Sequence, residues 1–281
     1  MQVTPKSLVL DLLSTVPKSS MAVGVLVAGG GLFGVSENSI RVTLARLRAA
    51  GMIDQDERGQ YRLAQGAAPI GKQVTSWRDV EQRVCAWDGG WIGVHTAAVR
   101  RSERRAHRHG ERALRFLGFE RFDIGLHLRP NNLVGGVASV REQLYELGLD
   151  AKAMVFAIYD LDAAGERRAR RLWDTASLRG GYRASLAALK KSERQLADRP
   201  LHEALVESFL LGGRVIRQIV LDPLLPEPLV PAGERAELVR ALCRYDRTGR
   251  ECWSAFFRQA VAGATPSGRL HSMKGRQGEA A

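Results

Sequence analysis

Cysteine is scarce in this chain. Cys85, Cys243 and Cys252 are odd in number and widely spaced, which excludes a disulfide framework and a zinc ribbon and fits free thiols in a reducing compartment. Long apolar runs are missing too, since no stretch approaches the ~20 residues of a membrane span. The start, MQVTPKSLVLDLL, has no extended apolar run and no small-residue cleavage site. It reads as the first helix of a folded, cytoplasmic protein. Acidic residues are in deficit: 30 Asp and Glu face 42 Lys and Arg, a formal net charge of +12. That surplus favours a phosphate-rich partner, nucleic acid first.

Signatures of catalysis are also lacking. There is no GxSxG, HExxH or Walker loop, and Gly29–Gly34 is not followed by Gly-Lys-Ser/Thr. His107 and His109 lie among arginines that would repel a metal ion. His95 and His127 have no thiol or carboxylate at ligand spacing. The sequence therefore predicts no catalytic residues, no metal site and no cofactor.

What is present suits a protein of two or three domains: 281 residues, 45% of them hydrophobic. Thr4 and Pro5 open a helix with Leu8, Leu12 and Leu13 on one face, ended by Val16-Pro17. A second helix, Met21 to Ala28, is expected to stop at Gly29-Gly30-Gly31. Ser36 then caps a third, which carries Ile40, Leu44 and Leu47 on one buried face and ends at Gly51. Met52-Ile53 and Tyr61–Leu63 bracket a polar turn, giving a β-hairpin. Helix, helix, helix and hairpin is the plan of a winged helix-turn-helix over residues 1–66.

Residues 67–82, at the end of a small, Gly- and Pro-containing stretch, read as a linker. From 83 to 163 the pattern is strand (Ile92–Val99), helix (Arg100–Leu117), strand (Arg121–Leu128), helix (Val137–Leu147), strand (Met154–Leu161). This suggests a ferredoxin-like sandwich. Residues 164–262 show helical periodicity without a convincing strand, interrupted by Pro223, Pro226, Pro228 and Pro231. Residues 263–281 are basic and nearly free of apolar side chains, so a disordered tail is expected. The fold class expected is α+β, in three parts.

The third helix carries Asn38, Ser39, Arg41, Thr43, Arg46 and Arg48 outside its core face, behind the capping Ser36. Arg donates in bidentate fashion to guanine and Asn to adenine, while Ser and Thr reach bases or phosphates. Asn38, Ser39, Arg41 and Thr43 suit base edges, Arg46 and Arg48 phosphates, and Arg58, Gln60 and Arg62 of the hairpin the backbone or minor groove. A winged helix used only for protein contact is the competing reading. A stripe of Arg101, Arg105, Arg108, Arg112 and Arg115 falls on one helical face. It suits DNA phosphates, an anionic effector, or solvent. Trp173, Tyr182, Arg183, Arg214 and Arg217 are candidates for a pocket that takes an aryl group with phosphates, though aromatics at helical spacing also serve cores.

Several stretches together resemble one family. Leu32–Leu47 is similar to the recognition segment of the PaaX family, the phenylacetic acid degradation repressors. So are Trp87-Asp88-Gly89-Gly90-Trp91, Leu117-Gly118-Phe119 with Gly125–Leu133, and Asp222-Pro223-Leu224-Leu225-Pro226 with Leu229-Val230-Pro231. The resemblance implies a winged helix, a central ferredoxin-like (Cas2-like) dimerisation domain and a helical effector-responsive domain. It also implies a homodimeric repressor of an aromatic-catabolism operon, released from a palindromic DNA operator by an aryl-CoA such as phenylacetyl-CoA. Two departures stand out: Ala232–Arg235 replaces the family's Trp-containing segment, and His127 replaces an aromatic. A nuclease of the Cas2 type would want a carboxylate at the end of its first strand, and Ile92–Ala97 offers none.

Overall fold

The structure, a computed structural model, describes residues 4–14, 20–56, 58–64, 76–96, 104–196 and 198–263. The expected tail beyond 263, most of the linker, and Arg101 of the arginine stripe lie outside the described residues. The fold is α+β, a mixture of helices with two antiparallel sheets. Among the described residues no helix is long and apolar enough to cross a membrane.

Three helices begin the chain: α1 (Pro5–Ser14), α2 (Val23–Gly31) and α3 (Glu37–Ala49). Thr4 caps α1, its hydroxyl accepting from the Ser7 N–H at 3.1 Å, as the Thr4-Pro5 pair predicts. Strands β2 (Ile53–Gln55) and β3 (Gln60–Leu63) form the expected hairpin. A two-residue strand that the sequence reading placed in a helix, β1 (Met21–Ala22), pairs with Tyr61 and Gln60 and completes a sheet of order β1-β3-β2.

α2 ends at the glycine triplet as expected, but the three glycines form its last turn: Gly31 is the final helical residue, and the chain turns at Gly34, with φ +70°. The reason is packing. A Cβ on Gly29 would stand 3.1 Å from Leu12, and one on Gly30 2.8 Å from Ile40. The missing side chains let α2 approach α1 and α3 closely.

The second sheet holds β4 (Trp91–His95), β5 (Glu120–Asp123), β6 (Leu126–Pro130) and β7 (Met154–Ile158), all antiparallel in the order β5-β6-β4-β7. Helices α4 (Arg104–Phe116) and α5 (Gly136–Glu146) connect them and contribute Leu114, Val140 and Leu144 to the core that holds Ile92, Val94 and Val155. The single strand expected over Arg121–Leu128 is in fact a hairpin. Gly125, at φ +71°, turns the chain there and leaves Ile124 72% exposed, so the apolar alternation ran through a turn. Helices α6 (Ala163–Arg170), α7 (Thr175–Leu196), α8 (Leu201–Val220) and α9 (Ala232–Gly263) follow. Leu172 and Trp173 fall in the break between α6 and α7, where a helix had been expected.

The stretch read as a linker is not a tether at its end. Ser76–Arg83 forms a 3-10 segment whose Trp77 and Val80, three residues apart, are buried in the core. Glu81 accepts two hydrogen bonds from the buried Arg235 of α9, at 2.9 and 3.2 Å. A second buried arginine joins the sheet to the proline-rich loop. Arg129 of β6 donates to the carbonyl of Leu117, to that of Pro130 at 3.1 Å and to Asn132 Oδ1 at 3.2 Å, and reaches the Pro223 carbonyl at 3.5 Å. Asn132 in turn donates to the Leu224 carbonyl at 2.7 Å. Burial, with help from the charge of Arg83, lowers the Arg129 pKa to about 9.

The N-terminal helices do not close their core alone. Leu205 of α8 and Trp253 of α9 share one cluster with Leu8, Leu12, Leu26, Ile40 and Leu44. Phe33 meets Phe209 with ring centroids 4.9 Å apart.

The close approach at Gly30 gives a test. Gly30→Ala improves helix propensity by about 1 kcal/mol, yet it is expected to lower stability by about 1–3 kcal/mol through overpacking against Ile40. Ile40→Val in the same chain recovers part of the loss. Thermal or urea unfolding measures both; a more stable Gly30→Ala protein would mean that the two helices are not held this tightly.

Candidate nucleic-acid interface

The geometry of α3 starts at Ser36. Its backbone is extended, and its hydroxyl accepts from the Ser39 N–H at 3.3 Å and lies 2.9 Å from the Ser39 hydroxyl. Glu37 sits in the first turn and Arg46 and Arg48 in the last, each in the favoured sense of the helix dipole. Ile40, Leu44 and Leu47 are buried, so the opposite face is fixed outward. That exposed face carries Asn38, Val42, Ala45, Arg46 and Ala49. Arg41 and Arg48 flank it on one side; Ser39 and Thr43, both half-buried, flank it on the other. Val42 and Ala45 are additions to the residues read from sequence. One is an apolar contact surface and the other permits close approach of the helix backbone.

The hairpin stands beside this helix. Arg48 donates to Gln55 Oε1 at 2.5 Å, tying the end of α3 to β2. Asp56 Oδ1 accepts from the N–H groups of Arg58 and Gln60, which shapes the turn around Gly59 at φ +73°. Arg58 and Arg62 are exposed and Gln60 is half-buried; Arg62 lies 3.8 Å from Asp54 across the strands. Arg41 pairs with Glu37 at 2.7 Å, both more than half exposed. Such a surface pair is worth less than about 1 kcal/mol, so an incoming phosphate or base edge can displace the carboxylate.

The five residues read as pocket candidates go to different places. Trp173 stacks on Trp91 at 6.1 Å and its indole N–H donates to the Gly118 carbonyl. Tyr182 is buried, its hydroxyl 2.5 Å from Asp222, and burial and that carboxylate push its pKa up. Arg183, together with Arg179, binds Glu234, whose carboxyl is held at about 2 by the two hydrogen bonds. Arg214 is exposed on α8. Of the five, Arg217 alone lines the cavity between α1, α8 and α9. The other residues around that cavity are not among the candidates read from sequence; the signal was Gly212-Gly213, two glycines in mid-helix. Of the arginine stripe, Arg108, Arg112 and Arg115 lie exposed on α4.

The capping assignment is open to measurement. Ser36→Ala should destabilise the chain by about 1 kcal/mol and Ser36→Asp should not, as read from denaturant midpoints. Equal midpoints for Ser36→Ala and the parent would remove Ser36 as the cap.

Comparison with known proteins adds three findings. Residues 173–257 match the family model of the PaaX-like protein C-terminal domain, a match that runs from Trp173 through α7, α8 and the proline-rich loop into α9. No curated protein matches the chain. Among solved structures, the uncharacterized protein Rv0674 from Mycobacterium tuberculosis is similar in fold, with 20% sequence identity and a TM-score of 0.61 over 92% of this chain and 99% of that one. The matched domain fits a PaaX-type regulator. Over residues 173–257, then, the chain is similar to the C-terminal domain of PaaX-like proteins, in agreement with the motifs read from its sequence.

Proposed function

We propose that this protein is a DNA-binding transcriptional repressor of an aromatic-compound catabolic operon, released from a palindromic operator by an aryl-CoA effector such as phenylacetyl-CoA. In this reading, residues 1–66 are a winged helix-turn-helix, with α3 in the major groove and the β2-β3 hairpin as wing. Residues 83–163 are a ferredoxin-like, Cas2-like dimerisation domain, and residues 164–262 the effector-responsive domain.

One observation carries the reading. The outward face of α3 gathers Asn38, Arg41 and Arg46 around a small apolar centre, on a helix fixed in orientation by its buried face and capped at its leading end. Asn and Arg can read adenine and guanine, and the exposed Val42 can meet a thymine methyl. The hairpin arginines extend the basic surface toward the phosphates. The +12 net charge supplies attraction that does not depend on sequence.

The strand order β5-β6-β4-β7 with two crossing helices supports the ferredoxin-like assignment. Self-association is supported by the edge strand β7, which leaves Met154 57% and Phe156 36% exposed, with Tyr159 just beyond it 59% exposed. Two copies would set their α3 helices about one DNA turn apart, matching a palindromic site. Release then requires an effector that binds the non-operator state more tightly than the operator-bound one.

Gel-shift titration against a duplex enriched from a random pool tests the DNA assignment. Arg41→Ala is expected to lose about 1–3 kcal/mol and to relax preference at one base position. Arg46→Ala should weaken all sequences alike and reduce the salt slope by about 1. Unchanged affinity in both variants, or binding insensitive to salt, would return the domain to the protein-contact reading.

A further inference from the structure

Helices α1, α8 and α9 and the 3-10 segment enclose a cavity of about 480 Å³. Small residues open it: α8 contributes Ser208, Gly212 and Gly213, and α9 contributes Gly249. Glycine within a helix is unfavourable relative to alanine, so each needs a reason. At Gly249 a Cβ would stand 3.4 Å from Ser208, an ordinary contact distance, so close packing does not demand glycine there. At Gly213 no heavy atom lies within 4 Å of a Cβ position. Close packing does not account for that glycine, and its effect is to leave the cavity unfilled.

The walls divide by chemistry. Trp77, Phe209, Ile216, Val220 and Trp253 supply an apolar, largely aromatic lining, with Tyr245 behind Gly212. The polar part holds Arg78, Arg217 and Arg250 against Asp11 and Asp246. Asp246 pairs with Arg78 and with Arg250, each at 2.6 Å. Burial raises the Asp11 carboxyl, opposed by the charge of Arg217. Next to the cavity lies a more open hollow of about 490 Å³ that shares Arg78, Asp246 and Arg250 and adds Arg247 and Arg258. An apolar chamber therefore adjoins an arginine-rich surface across a shared rim.

We propose that chamber and hollow are one ligand site, the chamber taking an apolar, preferably aromatic, acyl group and the hollow the polyanionic carrier to which it is joined, as in a CoA thioester. Arginine suits phosphates because its planar fork donates two hydrogen bonds at once. The chamber is within the usual size range for small-molecule pockets. The site locates the effector of the regulator described above and depends on that reading for its consequence, not for the binding itself.

The same site reaches the DNA helix. Asp11 and Ser14 of α1 line the chamber, while Leu8 and Leu12 of α1 share a core with Ile40 and Leu44 of α3. An acyl group that resets α1 resets α3 with it. Interiors are close-packed and transmit such shifts.

Trp77 and Trp253 make the test direct. The full chain is titrated, without DNA, with phenylacetyl-CoA, CoA and phenylacetate, read by tryptophan fluorescence and calorimetry. The thioester is expected to bind at least tenfold more tightly than either half and to change the fluorescence. Gly213→Leu fills the chamber and should weaken thioester binding at least tenfold while leaving CoA binding unchanged. Arg247→Glu with Arg258→Glu, both at the exposed hollow, should weaken thioester and CoA alike. The proposal is overturned if CoA and the thioester bind equally, if neither binds, or if both variants retain parental affinity. Thioester binding by a chain that ignores DNA would sink the regulator reading and leave the site standing; DNA binding by a chain that ignores the thioester would do the reverse.

Discussion

The N-terminal helices of this protein depend on two side chains from the far end of the chain. Leu205 and Trp253 are buried among Leu8, Leu12, Leu26 and Ile40, and Phe209 lies against Phe33. A unit of about 60 residues buries too little surface to be robust by itself. Here its core continues into α8 and α9, which removes that limitation and adds a constraint. The orientation of α3 is set partly by helices that belong to the C-terminal domain. Under the proposed function, that arrangement links the surface assigned to DNA with the cavity assigned to a ligand, with no separate transmitting element. The coupling needs only that two packings of α1 against α8 and α9 differ in their affinity for ligand.

A second set of contacts holds the central sheet to the same helices. Arg129 is almost wholly buried and, among the described residues, is neutralised by no carboxylate; it lies among carbonyl oxygens of the α4-β5 turn, of its own strand end and of the proline-rich loop. Asn132, Trp173 and Gly118 fasten the same joint, and a Cβ on Gly118 would stand 2.7 Å from Pro223. Hydrogen bonds to buried charge are stronger than neutral ones, and removing a partner would leave the charge exposed to an apolar interior. The motifs Leu117-Gly118-Phe119, Arg129-Pro130-Asn131-Asn132 and Asp222-Pro223 therefore have a common physical role in one joint between sheet and helices.

Local rules made some of this legible in the sequence. Ser36 before Ile40, Leu44 and Leu47 was enough to place α3 and its outward face, and the turn around Arg58-Gly59 was enough to place the hairpin. Where the reading failed, tertiary contact outweighed local preference. Gly29–Gly31 read as a helix stop, and α2 does end at Gly31, but Gly29 and Gly30 are also sites of helix contact whose partners, Leu12 and Ile40, lie in other helices. Phe122, Ile124, Leu126 and Leu128 alternated as a strand does, and only the positive φ at Gly125 shows the turn between two strands. Trp173 and Tyr182 had the right chemistry for a pocket and serve the core instead, because aromatic composition does not reveal which side chains are neighbours. The chamber was hidden for the same reason: its walls come from α1, the 3-10 segment, α8 and α9, which are far apart in sequence.

Amide hydrogen exchange tests most directly whether the cavity and α3 share one core and move together. The full chain is compared with and without saturating phenylacetyl-CoA, in the absence of DNA. Altered protection is expected in α8 and α9 around the chamber and also in α1 and along α3. Protection changes confined to α8 and α9, with α1 and α3 exchanging as before, would contradict it.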